Sequence, residues 1–141
     1  MIDGVKILEL ETHRDKRGFF REIFRFSENF PDIPVGQISH SKVHEGVVKG
    51  WHGHVYQYQW NYVLSGIAKI VLKDFRKDSN TFDVKMFIEA GKGKKTLGYF
   101  FPPGVLHGYK CIEGPMNIIY TTSGVYDEKQ DELRMDFNEI L

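Results

Sequence analysis

A chain of 141 residues, 41% hydrophobic and 14% aromatic, can build one buried core but not two ordinary domains. Its 19 basic and 19 acidic side chains cancel, which argues against the basic face that a general nucleic-acid binder needs. The single cysteine, Cys111, allows no intramolecular disulfide, and no apolar run approaches the length of a membrane span. The expectation is one domain over residues 1–141, without nucleic-acid or membrane partners, in a reducing cytoplasm.

Taken in order, Val5–Leu10 alternates and reads as a strand, and His13–Gly18 reads as a charged turn. Phe19–Phe26 has helical spacing but strand-like aromatic content, with Gly18 favouring an extended start. Ser27–Pro34 reads as a helical turn broken by prolines, and Gly36–Val43 alternates again. Asn61–Gly66 and Ile67–Phe75 read as a hairpin around Ser65-Gly66. Phe82–Ala90, Thr96–Phe101, Val105–Ile112 and Met116–Tyr126 read as further strands. Turn signals at intervals of roughly ten residues, without long helical periodicity, indicate an all-β sandwich or barrel. The charged tail, 127–141, reads as a short C-terminal helix packed outside.

The chemistry gathers in two stretches. His52 and His54 stand one residue apart, so in a strand both side chains leave the same face. Tyr56, Tyr58, Trp60 and Tyr62 share that face if the strand is unbroken. A third histidine, His107, follows the Pro102-Pro103-Gly104 turn. Facing strands would bring the three imidazoles into one polar pocket. His54 taken alone reads equally well as a hydrogen-bonded interior histidine. His13, His40 and His44 read as surface or turn residues, His40 within reach of the rim, and Cys111 as buried.

These stretches resemble the paired motifs of the cupin superfamily. Gly46, His52, His54 and Gly66 fall at the spacings of the first motif, with Gln59 in its glutamate place. Pro102, Gly104 and His107 fit the second, with Cys111 in its asparagine place. The resemblance implies a cupin-type jelly roll, or double-stranded β-helix barrel. It also implies one metal alternative, in which His52, His54, Gln59 and His107 would be the ligands. Gln59 lacks the anion that would neutralise a metal, so the primary expectation is no metal and no cofactor.

A narrower resemblance spans most of the chain. DKRGFFRE, QISHSK, VVKGWHGH, DFRKDSNTF, PPGVLHGY and IIYTTSGVY, in that order, are similar to motifs of the dTDP-4-dehydrorhamnose 3,5-epimerase family. What this implies is an epimerase or isomerase of a 4-keto-6-deoxy nucleotide sugar, in deoxysugar or polysaccharide biosynthesis, acting by proton abstraction next to the keto group. Carried over by position, His52 is the general base and Tyr120 the acid on the opposite sugar face. Arg17, Glu22, Gln37, Lys49, Gln59, His107 and Tyr126 fall on substrate-contacting places, and Arg76 on the family's Asp-x-Arg arginine. The family also implies a homodimer, with Arg17 reaching across the interface.

The departures are specific. Lys49 stands where the family has an arginine, which keeps the charge but loses the bidentate fork. The family's enolate-stabilising lysine falls on Gln59 or Trp60. The family's base-orienting aspartate lies in a C-terminal extension, whereas this chain has Leu141 as its last residue. No residue of Asp131–Leu141 is assigned in its place. Three readings remain: a divergent nucleotide-sugar epimerase, a non-catalytic nucleotide-sugar or carbohydrate binding cupin, and a metal-dependent cupin enzyme. The nucleotide base, the sugar and the carbon epimerised stay open.

Overall fold

Two long strands carry the architecture, and the shorter ones attach to their ends. In the computed structural model, residues 1–127, 129 and 131–135 are described. The elements are β1 (Lys6–Glu9), β2 (His13–Asp15), β3 (Gly18–Phe20), α1 (Phe26–Asn29), β4 (Gln37–Val43) and β5 (Val48–His54). They continue with β6 (Gln59–Asp74), β7 (Lys85–Gly91), β8 (Leu97–Phe101), β9 (Val105–Thr122) and β10 (Glu132–Arg134). β6 and β9 pair antiparallel from Gln59↔Thr122 to Asp74↔Val105. At one end of this ribbon β8 and then β1 extend the β6 side, and β4 lies on β9. At the other end β7 lies on β6, while β5 and then β10 extend the β9 side.

The ribbon folds over at its middle, where register shifts interrupt the ladder between Val63 and Ala68. Gly66 has φ +74°, and a Cβ there would come within 2.7 Å of the Glu113 carbonyl and of Met116. Only glycine fits that bend. The expected hairpin around Ser65-Gly66 is therefore a bulge inside one continuous strand. A glycine with positive φ serves a tight turn or a bulge equally well, and the choice depends on a partner strand far away in the sequence.

Folding the ribbon brings the two layers face to face. Val43, Val63, Tyr99, Phe101, Met116 and Ile118 from one layer meet Ala68, Ile70, Leu72, Ile88 and Ala90 from the other in a single core. This is the all-β, cupin-type roll expected, one eight-stranded sheet that is not closed into a barrel: six strands follow the path β1-β8-β6-β9-β5-β10, β4 and β7 branch from β9 and β6, and β2–β3 is a separate hairpin. A second cluster seals the outer face: Trp60, fully buried, packs against Phe30 and Phe100 with Phe24, Phe26 and Tyr58 around it. Trp60 and Tyr58 therefore point away from His52's pocket. The chain leaves the strand after His54 and re-enters one at Gln59, which breaks the alternation that would have kept them on one face.

The C-terminal segment differs from the helix expected. Glu132–Arg134 is a strand on the open edge of β5, with Glu132↔His54 and Arg134↔His52 as cross-strand pairs. Leu133 packs on the opposite face against Trp51, Val71 and Leu106. Polar–apolar–polar alternation suits a strand with one buried face, and the β5 edge supplies its hydrogen bonds. Residues 128, 130 and 136–141 of the expected helix lie outside the described residues. Among the described residues, no helix is long and apolar enough to cross a membrane.

The Asp-x-Arg motif proves to be a structural lock. Asp74, fully buried, accepts hydrogen bonds from Arg76 Nε (2.8 Å) and Nη2 (2.9 Å), Ser79 Oγ (2.6 Å) and Thr81 Oγ1 (2.6 Å). Arg76 Nη2 also donates to the Asp3 carbonyl at 2.6 Å, tying the chain start to the β6–β7 turn. Burial would raise the Asp74 carboxyl, but Arg76, Ser79 and Thr81 outweigh it and hold it well below the usual carboxylate range. Asp74→Asn leaves Arg76 without its buried partner, and the expected loss is about 3 kcal/mol of unfolding free energy in urea titration at pH 7. Because the folded carboxyl titrates below its unfolded value, this contribution is complete above about pH 4 and fades in acid. An Asp74→Asn protein as stable as wild type at pH 7 would contradict the lock.

Candidate active site

Strand parity brings the polar side chains together. On β5, His52 and His54 face inward between the layers, while Trp51 and Gly53 face the other way. Lys49 would point away from His52 in a regular strand, being an odd number of residues distant. The β5–β9 register slips between Lys49 and His52, where Gly50 has φ +147°, and this bulge turns Lys49 to the same side. Across the fold, alternate residues of β4 (Gln37, Ser41), β6 (Gln59, Asn61) and β9 (His107, Tyr109, Ile118, Tyr120, Thr122) point to the same space.

The resulting cavity measures about 260 Å³. That is the low end for a ligand site, enough for one sugar-sized ring, so any nucleotide attached to the ring must lie over the rim. His52, Tyr120, Gln37, Lys49, Gln59, His107 and Tyr126, all assigned from sequence, line it together, as does His54. Arg17 and Glu22 do not. Arg17 sits at the tip of the β2–β3 hairpin with its side chain 85% exposed and paired to Asp15, and Glu22 pairs with Arg25 at 2.9 Å. Among the described residues the hairpin pairs only within itself, and none of its residues lines the cavity.

Two carboxylates that sequence reasoning left unassigned come to the histidines. Asp131, 4% exposed, accepts from His54 Nδ1 (2.7 Å), the Tyr56 N–H (2.6 Å), the Gln57 N–H (3.1 Å) and Gln57 Nε2 (2.8 Å). Burial works to raise its carboxyl, but the Tyr56 N–H, His54 and the Gln57 N–H prevail and lower it. Glu132 places Oε1 3.9 Å from His52 Nδ1, accepts from Arg134 Nε at 2.6 Å, and accepts the Tyr126 hydroxyl at 3.2 Å. The Asp-Glu-x-Arg run was the available signal, but it becomes legible only once the segment is known to be β5's neighbour.

Beyond His54 the polar chain continues inward. Its Nε2 lies 2.7 Å from Gln59 Oε1, Gln59 Nε2 donates to Asn61 Oδ1 (2.9 Å), and Asn61 Nδ2 donates to Tyr99 Oη (3.0 Å). His54 is thus the hydrogen-bonded interior histidine of the blander reading, and both its ring nitrogens are engaged. A metal would need one of those lone pairs, and among the described residues no group of three or more His, Cys, Asp or Glu is arranged to hold an ion. The metal-ligand alternative does not fit this geometry.

The electrostatics favour neutral imidazoles beside His54. Burial chiefly, with Arg134, Lys49 and His54, lowers the pKa of His52 against the opposing pull of Glu132. Burial also holds His107 well below its ordinary value, with His54 and His52 adding to it, and its ring centroid is 4.7 Å from that of Phe101. Burial near Tyr120 pushes the Tyr109 hydroxyl up to about 12. The cavity therefore combines an unprotonated imidazole, a tyrosine from the facing layer and a lysine, a set able to move a proton on and off an activated carbon.

The chain is similar to known proteins in sequence and in fold. The profile of the dTDP-4-dehydrorhamnose 3,5-epimerase family matches residues 1–140. The chain is 40% identical over 141 residues to the spore coat polysaccharide biosynthesis protein SpsL of Bacillus subtilis (strain 168), covering 99% of this chain and 92% of that protein. It is 28% identical over 137 residues to the dTDP-4-dehydrorhamnose 3,5-epimerase of Neisseria gonorrhoeae, covering 94% of this chain but only 42% of that longer protein. Among solved structures, the dTDP-6-deoxy-D-glucose-3,5-epimerase of Legionella pneumophila Philadelphia 1, in complex with dTDP-4-keto-L-rhamnose, superposes with a TM-score of 0.87. The identity is 26%, over 97% of this chain and 75% of that one. In sequence and in fold, this chain belongs to the dTDP-4-dehydrorhamnose 3,5-epimerase family.

Proposed function

We propose that the protein is an epimerase of a dTDP-linked 4-keto-6-deoxy sugar, working in polysaccharide biosynthesis with His52 as base and Tyr120 as acid. The observation that carries this is the meeting of His52 and Tyr120, from opposite layers of the roll, in a cavity of about 260 Å³ that fits one hexose ring. Family membership and the likeness to SpsL support the substrate class and the biosynthetic setting.

The chemistry balances without a cofactor. His52 takes the proton from the carbon beside the 4-keto group, and the electron pair moves onto the keto oxygen as an enolate. Tyr120 then returns a proton to the other face of that carbon, inverting it. Lys49 is the cavity's ammonium, and neutral His107 has an N–H to offer the developing oxyanion. Gln37, Gln59 and Tyr126 provide polar contacts around the ring.

Outside the cavity the diphosphate and base need a second surface, and here the reading calls for a homodimer. The β2–β3 hairpin exposes Phe19 (57%) and Phe20 (63%) beside Arg14, Arg17 and Arg21, a combination suited to an interface next to an anion. In this reading Arg17 and Glu22 serve the partner's site rather than their own. A cytoplasmic location fits the lone, buried thiol of Cys111.

Deuterium uptake from solvent into a dTDP-4-keto-6-deoxyhexose tests the assignment. His52→Ala is expected to lose roughly 10²- to 10⁴-fold in uptake. Tyr120→Phe keeps uptake, since His52 can return a deuteron to the face it came from, but loses inversion. The neutral form of His52 is the active one and its pKa is depressed, so uptake should persist below the unperturbed imidazole midpoint of about 6.5 before falling in acid. Absence of uptake despite binding would leave the protein a nucleotide-sugar binding module. For the assembly, light scattering after size exclusion should give a dimer, reduced to a monomer by Phe19→Ser with Phe20→Ser. A monomeric wild type would overturn it.

A further inference from the structure

One of the three buried tyrosines leaves its hydroxyl unused by the protein. Tyr62 Oη lies 2.6 Å from Arg21 Nη1, and Tyr99 Oη lies 3.0 Å from Asn61 Nδ2. Tyr109 is 9% exposed, yet among the described residues its hydroxyl has no hydrogen-bond partner. Nor is that oxygen sealed in the core: among the described residues, Trp60 Nε1 is the buried side-chain atom that is both closed off and unpartnered. Tyr109 lines the cavity, so the cavity is what its hydroxyl meets. The body of the ring packs in the core with Cys111, Met116 and Ile118, and its cross-strand neighbours are Ile70 on β6 and Lys49 on β5. A phenylalanine would make the same apolar contacts, whereas a buried hydroxyl without a partner costs stability. Tyr109 and Ile118 belong to both the core and the cavity lining, which makes them the cavity's floor.

We propose that Tyr109 is a specificity-determining residue: its hydroxyl, at the cavity floor, hydrogen-bonds one oxygen substituent of the bound sugar ring, so that a ring with oxygen there is taken and its deoxy counterpart refused. A phenol hydroxyl can donate or accept, so a ring hydroxyl and a keto oxygen both satisfy it. A C–H in the same place excludes water from the floor and leaves the hydroxyl buried and unpaired. Ile118, the other residue of the floor, has no polar group to take over the contact. This role rests on the reading of the cavity as a sugar site and does not require that the sugar be epimerised.

Tyr109→Phe removes the oxygen and keeps the ring. Wild type and variant are titrated calorimetrically with dTDP, with dTDP-6-deoxy-D-glucose, and with the 2-, 3- and 4-deoxy counterparts of that sugar nucleotide. In the wild type, one of the three deoxy sugars is expected to bind about tenfold more weakly than the parent. In Tyr109→Phe the same deoxy sugar binds within about twofold of the parent, and affinity for dTDP alone is unchanged. In urea, Tyr109→Phe unfolds at the wild-type midpoint or above it, since no hydrogen bond within the protein is lost. The absence of any weakened deoxy sugar in the wild type would overturn the proposal, as would a penalty of equal size in both proteins. A variant that is less stable, or that binds dTDP itself more weakly, marks a structural hydroxyl and equally overturns it. A wild type that binds none of these sugars overturns the proposal together with the sugar-site reading. Binding as expected, without deuterium uptake into a 4-keto sugar, leaves the role of Tyr109 standing and counts against the epimerase reading alone.

Discussion

The pairing of β6 with β9 is the constraint on which everything else depends. It spans residues 59–74 against 105–122, and the bulges at its middle fold it into two layers. Because the same two strands contribute to both layers, the register fixed at one end determines which residues face inward at the other. Gln59 and Asn61, His107 and Tyr109, Tyr120 and Thr122 point into one space because no strand between them slips by an odd number without a bulge to restore parity. Lys49 shows the rule from the other side, since it faces the cavity only through a bulge at Gly50.

A second dependence runs through β10. Its three residues satisfy the edge of β5, bury Leu133 on one face and deliver a carboxylate to the histidines on the other. Asp131, just before it, gathers the end of β5, the Tyr56–Gln57 segment and β10 around a single buried charge. Such an anion is tolerated only when fully hydrogen-bonded, and here it is. Among the described residues the cavity holds one histidine bound on both sides, and burial lowers the pKa of the two others beside it.

Sequence carried much of this. Alternation and turn spacing gave the all-β class, and His-x-His with the distant Pro-x-Gly-x-x-His located the cavity's two sides. Local signals failed where a distant partner decides the outcome. Ser65-Gly66 reads as a turn but is a bulge, because β9 continues alongside it. Trp60 and Tyr58 seemed to share His52's face, until the break at residues 55–58 put them on the outer cluster. Asp131 and Glu132 lay in a stretch whose charge pattern suits an exposed helix, and only the vacant edge of β5 makes it a strand. Arg76 shows the converse: a motif residue beside the site in sequence is spent on anchoring Asp74 and the Asp3 carbonyl.

In the proposed reading a hexose ring sits between the layers, with His52 and Tyr120 on opposite faces. A crystal structure of the protein with a dTDP-6-deoxyhexose lacking the reactive keto group tests it most directly. The prediction is a ring inside the cavity, its reacting carbon flanked by the His52 imidazole on one side and the Tyr120 hydroxyl on the other. A ring bound outside the cavity, or one with both groups on the same face, would contradict it.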